Sequence, residues 1–519
     1  PPGSSPRLGG LRFLQHVCGY SPPLESLRPA EYPESMAATF LWYDLETFGR
    51  SPQWDRIAQF AALRTDGDLN PVDDPVVLYG RISPDYLPSP EACMITGLTP
   101  RKTADGLVEA ELAAQIHAQM TVPGTCTVGY NSLRFDDEFI RNLLYRNFYD
   151  PYRREYSYGN SRWDVLPLVR LAHDLRPEGI AWVYDHEGKP VFRLEALTEA
   201  NGLRHEHAHD ALSDVEATRA VAALIKAQQP KLYDFYLRLR RKEEVRRIVN
   251  LQHREPLLYS SPLFTRPEGS TSVVLPITAH PRNGQEILAL DLRSDPELLL
   301  SLSESDLRRQ VFTPQQELGP EERVSLVGIP VNKVPAVAPL STLSSRRAEV
   351  LGLDLAEIHG RARRLTEQLA ADPALIRRVR AVFAGDPPTY RDPDLNIYAG
   401  GFFGDEDKAV FDLIHTTPPD ELIRRPPDFA DPRGPEMLLR YLARNWPEVL
   451  DTEAKKRWHS QCAGRLLAPE YHRALDIETY RKRVSNLMAR SDVSPKDKLV
   501  LRDLQEYGEW IERNILAPG

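Results

Sequence analysis

Thr39-Phe40-Leu41-Trp42-Tyr43-Asp44-Leu45-Glu46-Thr47-Phe48-Gly49 is an apolar, aromatic run that ends in two carboxylates one residue apart, followed by a glycine. Its length and composition predict a strand. Residues two apart in a strand share a face. Asp44 and Glu46 therefore project together at the strand's end, and Leu45 points the other way. Two carboxylates held side by side repel unless a cation sits between them. Their oxygens are the ligands that Mg²⁺ or Mn²⁺ takes. An ordinary strand running into an acidic turn has the same local look, so other stretches of the chain must decide between the two.

Outward from this strand, Asp55–Thr65 carries Ile57, Phe60, Ala61 and Leu63, then Asp66-Gly67, a hairpin-type turn signal. Val76–Tyr79 predicts a further strand and Leu107–Met120 a helix. Thr127–Asn131 predicts a short strand leading to Phe135-Asp136-Asp137-Glu138, which opens another helix. Acids at a helix start are favoured by the dipole alone. Asp136, placed where a strand has ended and a helix begins, can also reach the Asp44/Glu46 pair.

A third motif, His209-Asp210-Ala211-Leu212-Ser213-Asp214, precedes Val215–Lys226, whose Val215, Thr218, Val221, Ala222 and Ile225 recur at core spacing for a helix. Asp210 suits an N-cap. Asp214 then lies one turn in. Five residues is about 140° past a full turn, so His209 cannot share its face through helical geometry. It sits in the preceding loop, where an imidazole beside a metal-type carboxylate fits a general base near neutral pH.

Composition sets the frame for these motifs. The chain has 519 residues, room for two to four domains, and 41% of them are hydrophobic, enough for a sizeable core. A net charge of −9 excludes a surface basic all over, so nucleic-acid binding requires a local basic groove. Cys18, Cys93, Cys126 and Cys462 form no C-x-x-C pair, which fits a reducing compartment. No apolar run approaches the ~20 residues of a membrane span. Residues 1–35 are rich in Pro, Gly and Ser and are expected to be disordered. The short Leu11–Val17 stretch lacks the order of a signal peptide, and Met36 stands where a natural start would be expected.

Taken in order, Asp44 and Glu46, Asp136, then His209 and Asp214 resemble the DEDD superfamily of 3′→5′ exonucleases, in its histidine branch. Longer stretches resemble the bacterial exonuclease I family: YDLETFG (43–49), NLLYRNFYDPY (142–152), RPEGI (176–180), FRLEALTEANG (192–202), HAHDALSDVEAT (207–218), IPVNKVPAVAP (329–339), YAGGFF (398–403) and YLARNWP (441–447). The resemblance covers nearly everything from Met36 onward. It implies an α/β RNase H-like exonuclease domain with a mixed sheet, then an SH3-like β-barrel domain and a mainly helical C-terminal domain. The expected boundaries are 1–37 for the extension, 38–230, 231–386 and 387–519.

The same resemblance implies Mg²⁺-dependent, processive 3′→5′ hydrolysis of single-stranded DNA to 5′-mononucleotides, serving repair and recombination. Two metal ions, for which Mn²⁺ can substitute, would be held by Asp44, Glu46, Asp136 and Asp214. Asp44 would bridge them, Asp136 would act through water, and His209 would take the proton of the attacking water. Thr47 would lie against the terminal nucleotide and Arg193 near a phosphate. An RNA exonuclease resembling oligoribonuclease is a shorter chain without added domains. A non-catalytic single-strand binding protein has no need of five intact catalytic-type residues.

Between Arg141 and Arg176 arginines interleave with aromatics, and seven aromatics fall between 145 and 163. Such a stretch can stack bases and contact phosphates without reading sequence, or can equally be a helix packed by its aromatics. Arg141, Tyr152, Tyr156 and Arg170 are its substrate candidates, and outside it Glu46, Thr47 and Arg193 are the others. Glu243–Glu255 reads as a charged connector. Short β runs at Val273–Leu275, Ile287–Leu290 and Ser325–Val327 suit a small barrel. Lys408–Ile414, Pro435–Arg444 and Pro495–Ile515 read as amphipathic helices. The resemblance implies two partners, single-stranded DNA and the acidic C-terminal tail of the single-stranded DNA-binding protein. Arg176 and Arg254 are candidates for the tail's basic rim. The chain is expected to be a monomer in the bacterial cytoplasm, associated with the nucleoid and not with a membrane.

Overall fold

The computed structural model describes residues 38–205, 210–318 and 323–517. The expected disorder of 1–37 and the placement of His209 lie outside them. β1 (Thr39–Thr47) is the central strand of a five-stranded sheet with order β3-β2-β1-β4-β5. Its partners are β2 (Ile57–Thr65), β3 (Val76–Tyr79), β4 (Thr125–Gly129) and β5 (Ser161–Asp164). β1 runs antiparallel to β2 and parallel to β4, so the sheet is mixed, as expected.

The alternation read in the sequence sorts β1 into two faces. Phe40 and Trp42 join a core with Val215 and Val221 of the helix Ala211–Gln228. Leu41, Tyr43 and Leu45 join another with Ile116, Phe139 and Leu143 of the helices Glu109–Met120 and Asp136–Arg146. Burying such a side chain contributes about 1.5–3 kcal/mol, so a one-residue slip would exchange both cores. The buried Trp42 indole donates to Thr65 Oγ1 at 2.9 Å, which satisfies its one polar atom.

Pairing of β1 with β4 ends at Trp42 and Val128. The stretch that carries Asp44 and Glu46 therefore runs on past β4. Gly129 permits the turn away: a Cβ there would lie 2.6 Å from Ser132 Cβ and 3.0 Å from the Tyr43 carbonyl oxygen. Asp164 then stitches the turn, accepting from Asn131 N at 2.8 Å and Leu133 N at 3.2 Å. That turn delivers the helix that starts at Asp136.

A hairpin of β6 (Val183–Tyr184) and β7 (Pro190–Val191) comes next in the chain. A second, antiparallel sheet has order β11-β10-β9-β8-β12. Its strands are β8 (Leu257–Ser260), β9 (Thr271–Ala279), β10 (Glu286–Asp291), β11 (Leu326–Pro330) and β12 (Ala336–Pro339). The region beyond it is helical, including Asp405–Thr416, Gly434–Asn445 and Pro495–Ile511.

Two elements differ from expectation. The connector contains a helix, Lys242–Ile248, whose first-turn Glu243 and Glu244 and last-turn Arg246 and Arg247 complement its dipole while Val245 is buried. The helix expected from Leu107 starts at Glu109, because Leu107 is drawn into a bridge with Gly80.

The helical region is fixed to the first domain through buried charge. Arg444 of Gly434–Asn445 donates to Asp85 at 2.8 Å and to Asp394 at 2.5 Å. Arg465 reaches Asp85 at 3.2 Å and also pairs with Asp392. Asp85 is fully buried, and despite that burial these arginines and Arg56 hold its carboxyl well below the ordinary range. Removing one partner of such a group strands a buried charge, at a cost of about 3–5 kcal/mol.

Candidate active site

The face of β1 that carries Trp42 continues into Asp44 and Glu46, and the helix packed on that face carries Asp214 one turn from its start. Asp210 caps that helix, accepting from Ser213 N at 3.3 Å, and Gln59 Oε1 of β2 accepts from Ala211 N at 3.4 Å. Gln59 is also the register partner of Glu46. Strand and helix are thus locked together beside the acids. One carboxylate oxygen from each of Asp44, Glu46 and Asp214 lies within 4.8 Å of the others.

Asp136 stands outside that set of three but next to it. Its carboxylate is buried, and its charge is among those that act on Asp44 and Glu46. Burial first, then the charges of Asp136, Asp214 and Glu46, lift Asp44 well above the ordinary carboxylate range. Glu46 is pushed up to about 8 by burial and by Asp214, Asp136 and Asp210. Burial also raises Asp136. The adjacent Asp137 behaves oppositely. Despite its burial, Arg154 at 2.7 Å and Arg162 at 2.5 Å hold its carboxyl low, and Tyr43 donates to it at 3.0 Å. Of two neighbouring aspartates, one is neutralised by arginines and the other is left facing acids.

Asp44, Glu46 and Asp214, with Asp136 beside them, form an acidic cluster suited to a divalent cation. The donor set is all oxygen, which suits Mg²⁺ or Mn²⁺. His205, which the sequence did not mark, also enters the site. Its Nε2 lies 2.5 Å from Asp214 Oδ1 and its Nδ1 3.1 Å from Thr198 Oγ1.

The substrate candidates fall in different places. Thr47 is buried and its hydroxyl donates to the Gly49 carbonyl at 2.6 Å. Arg193 is exposed at the start of the helix Leu194–Ala200. Tyr156 is 67% exposed. Tyr152 is half-buried, with the Arg141 guanidinium 5.1 Å over its ring and the Phe402 ring 5.5 Å away. Arg170 is half-buried and lies 5.9 Å over Phe192. Arg141 itself is buried and donates to Glu155 at 2.7 Å and Glu138 at 2.8 Å, so its guanidinium is used inside the fold. Tyr145, Phe148 and Trp163 of the same stretch are core residues.

Of the rim candidates, Arg176 ends the helix Val165–Leu175 and donates to Leu175 O at 2.6 Å and Thr342 O at 3.1 Å. Arg254 is half-buried, with a positive φ of 47°.

Three family models match the chain: Exonuclease over residues 41–222, Exonuclease I SH3-like domain over 240–385 and Exonuclease I C-terminal domain over 391–511. The exodeoxyribonuclease I of Escherichia coli is 39% identical over 477 residues, 91% of this chain and 98% of that protein. The chain belongs to the exonuclease I family. Exodeoxyribonuclease I of Haemophilus influenzae is 38% identical, with 91% of this chain and 98% of that protein covered. The exonuclease I structure from Methylocaldum szegediense superposes with a TM-score of 0.86 at 44% identity, covering 91% of this chain and 99% of that one. The Escherichia coli exonuclease I in complex with a dA16 oligonucleotide gives 0.86 at 38% identity, covering 91% and 100%. As a member of the family the chain is an exodeoxyribonuclease. Its second sheet belongs to the SH3-like domain and its helical region to the C-terminal domain.

Proposed function

We propose that this member of the exonuclease I family hydrolyses single-stranded DNA from the 3′ end to 5′-mononucleotides, processively and with Mg²⁺, in DNA repair and recombination. The observation that carries the reading is the convergence of Asp44, Glu46 and Asp214 within 4.8 Å, with Asp136 buried beside them. Two Mg²⁺ ions, or Mn²⁺ in their place, would neutralise charge on the scissile phosphate and polarise the attacking water. Asp44 would bind both ions. Glu46 and Asp214 would each hold one, and Asp136 would orient water from its buried position. His209, next to Asp210 in the sequence, would take the water's proton at an imidazole nitrogen.

The exposed Tyr156 and the half-buried Tyr152 offer ring faces for bases. Arg193 and Arg170 offer guanidinium groups for phosphates, and Thr47 shapes the floor beneath the terminal nucleotide. Arg141 supports this surface from within by holding Glu138 and Glu155. The working units are 38–230, 231–386 and 387–519, acting as a monomer in the bacterial cytoplasm. Among the described residues no helix is long and apolar enough to cross a membrane. Arg176, with Ile180 and Trp182 nearby in sequence and Arg254 at the domain junction, would receive the tail of the single-stranded DNA-binding protein.

The test is to incubate 3′-labelled single-stranded DNA, blunt duplex DNA and RNA separately, each with Mg²⁺ and with a chelator. Hydrolysis confined to single-stranded DNA and abolished by the chelator is expected. Efficient digestion of blunt duplexes or of RNA would sink the reading.

A further inference from the structure

His205 lies nine residues before Asp214 in sequence and touches it in space. Its side chain is 5% exposed, so water competes weakly for it. Nε2 lies 2.5 Å from Asp214 Oδ1. An ionised carboxylate oxygen can only accept, so toward ionised Asp214 this nitrogen is the donor. The other nitrogen is fixed as well: Nδ1 lies 3.1 Å from Thr198 Oγ1. Thr198 is itself buried, and its hydroxyl lies 3.0 Å from Leu194 O and 2.9 Å from Glu195 O on the helix Leu194–Ala200. The imidazole is therefore held at both ends, by a hydroxyl anchored to one helix and by a carboxylate carried on another.

We infer that His205 is a positioning residue for Asp214. Its Nε2–H holds one carboxylate oxygen, and so fixes the plane in which Asp214 is presented to the ions shared with Asp44 and Glu46. The inference rests on the proposed metal site. A free carboxylate rotates about its Cβ–Cγ bond, and repulsion from Asp44 and Glu46 would swing it away from them. A donor on one oxygen opposes that swing before any ion arrives. Partners of this kind typically change metal affinity or activity by about 10–100-fold when removed. His205 touches neither substrate nor reacting atoms in this scheme, so it is distinct from the base assigned to His209.

The test compares His205→Gln, whose amide nitrogen can occupy the place of Nε2, with His205→Phe, which keeps a ring but has no donor. Mn²⁺ binding to the full-length protein is titrated by electron paramagnetic resonance without DNA, and kcat and KM for single-stranded DNA are measured alongside. Expected is about 10–100-fold weaker Mn²⁺ binding in His205→Phe, substantial recovery in His205→Gln, and a loss in kcat at nearly unchanged KM. Thermal melting in chelator identifies a folding defect. If His205→Phe fails to fold, His205→Ala against His205→Gln gives the same comparison. Wild-type Mn²⁺ affinity in the donor-less variant, or equal loss in the Gln and donor-less variants, overturns the inference. Failure of the wild-type protein to bind Mn²⁺ through Asp214, shown by unchanged binding in Asp214→Asn, would instead overturn the metal-site reading.

Discussion

Lys333, on the loop between β11 and β12, donates to Glu138 Oε1 at 2.9 Å, two residues along the helix from Asp136. The same carboxylate accepts from Tyr398 of the C-terminal domain and from Arg141 at 2.8 Å. All three domains therefore meet on one side chain of the helix that begins with Asp136. The loop is seated from two further sides, by Arg162 donating to Asn332 O at 2.9 Å and Tyr236 to Val334 O at 2.8 Å. Processive digestion needs the added domains to stay against the catalytic domain while the strand moves. Lys333→Met with Tyr398→Phe, which leaves Glu138 paired to Arg141, is expected to shorten runs on long single strands several-fold when a trap is present. Single-turnover cleavage of a short oligonucleotide should stay within about twofold. Gel analysis of both reactions checks this, and unchanged run lengths would count against it.

The raised carboxylates give a pH signature. Glu46 titrates at about 8 in the folded chain, against about 4.3 in an unfolded one. Between these values the folded protein keeps a proton that the unfolded chain releases, so stability in chelator falls as pH rises from about 4.5 to 8. Glu46→Gln should flatten this fall. Mg²⁺ should raise the melting temperature more at pH 8 than at pH 5, because ionised carboxylates bind it. Calorimetry in chelator and in Mg²⁺ decides, and a stability that climbs with pH in chelator would be the wrong sign.

His209→Ala is expected to lower the single-turnover rate by about 10²–10⁴, the usual range for loss of a general base. Mn²⁺ binding should be retained, which separates His209 from His205. An unchanged rate where chemistry limits turnover would remove His209 from the mechanism.

Arg176 already bridges to the SH3-like domain through Thr342 O at 3.1 Å. Arg176→Ala is expected to weaken binding of the single-stranded DNA-binding protein's tail peptide. Hydrolysis of naked single-stranded DNA should stay near normal. Wild-type binding should also weaken with added salt, since rim charges are screened. Calorimetric titration with the peptide measures this. Loss of hydrolysis with peptide binding intact would place Arg176 against DNA instead.

What was legible in the sequence was what local periodicity controls. Asp44 and Glu46 share a face because a strand repeats every two residues, and Asp214 meets them because its helix buries Val215 and Val221 on that face. Arg141, Arg154 and Trp163 were harder, since an Arg-aromatic stretch reads alike as a groove or as a packed helix. The burial of the two arginines is decided by acids from elsewhere: Asp137 for Arg154 and Glu155 for Arg141. The Asp85–Arg444 pair spans 359 residues of chain, and neither residue has a local pattern that marks it. His205 gave no signal either, because its partner Asp214 lies nine residues on, at neither a strand nor a helical spacing.

Hydrolysis by this chain is expected to depend on ions held by Asp44, Glu46, Asp136 and Asp214. Crystals of the full-length protein soaked in Mn²⁺ would show this directly in anomalous difference density, with cleavage by Asp44→Ala measured in parallel. Expected are two peaks roughly 3.5–4 Å apart among these carboxylates, and less than about a tenth of wild-type activity in the variant. No anomalous peak at the cluster in a protein that is active with Mn²⁺, or near-normal cleavage by Asp44→Ala, would contradict it.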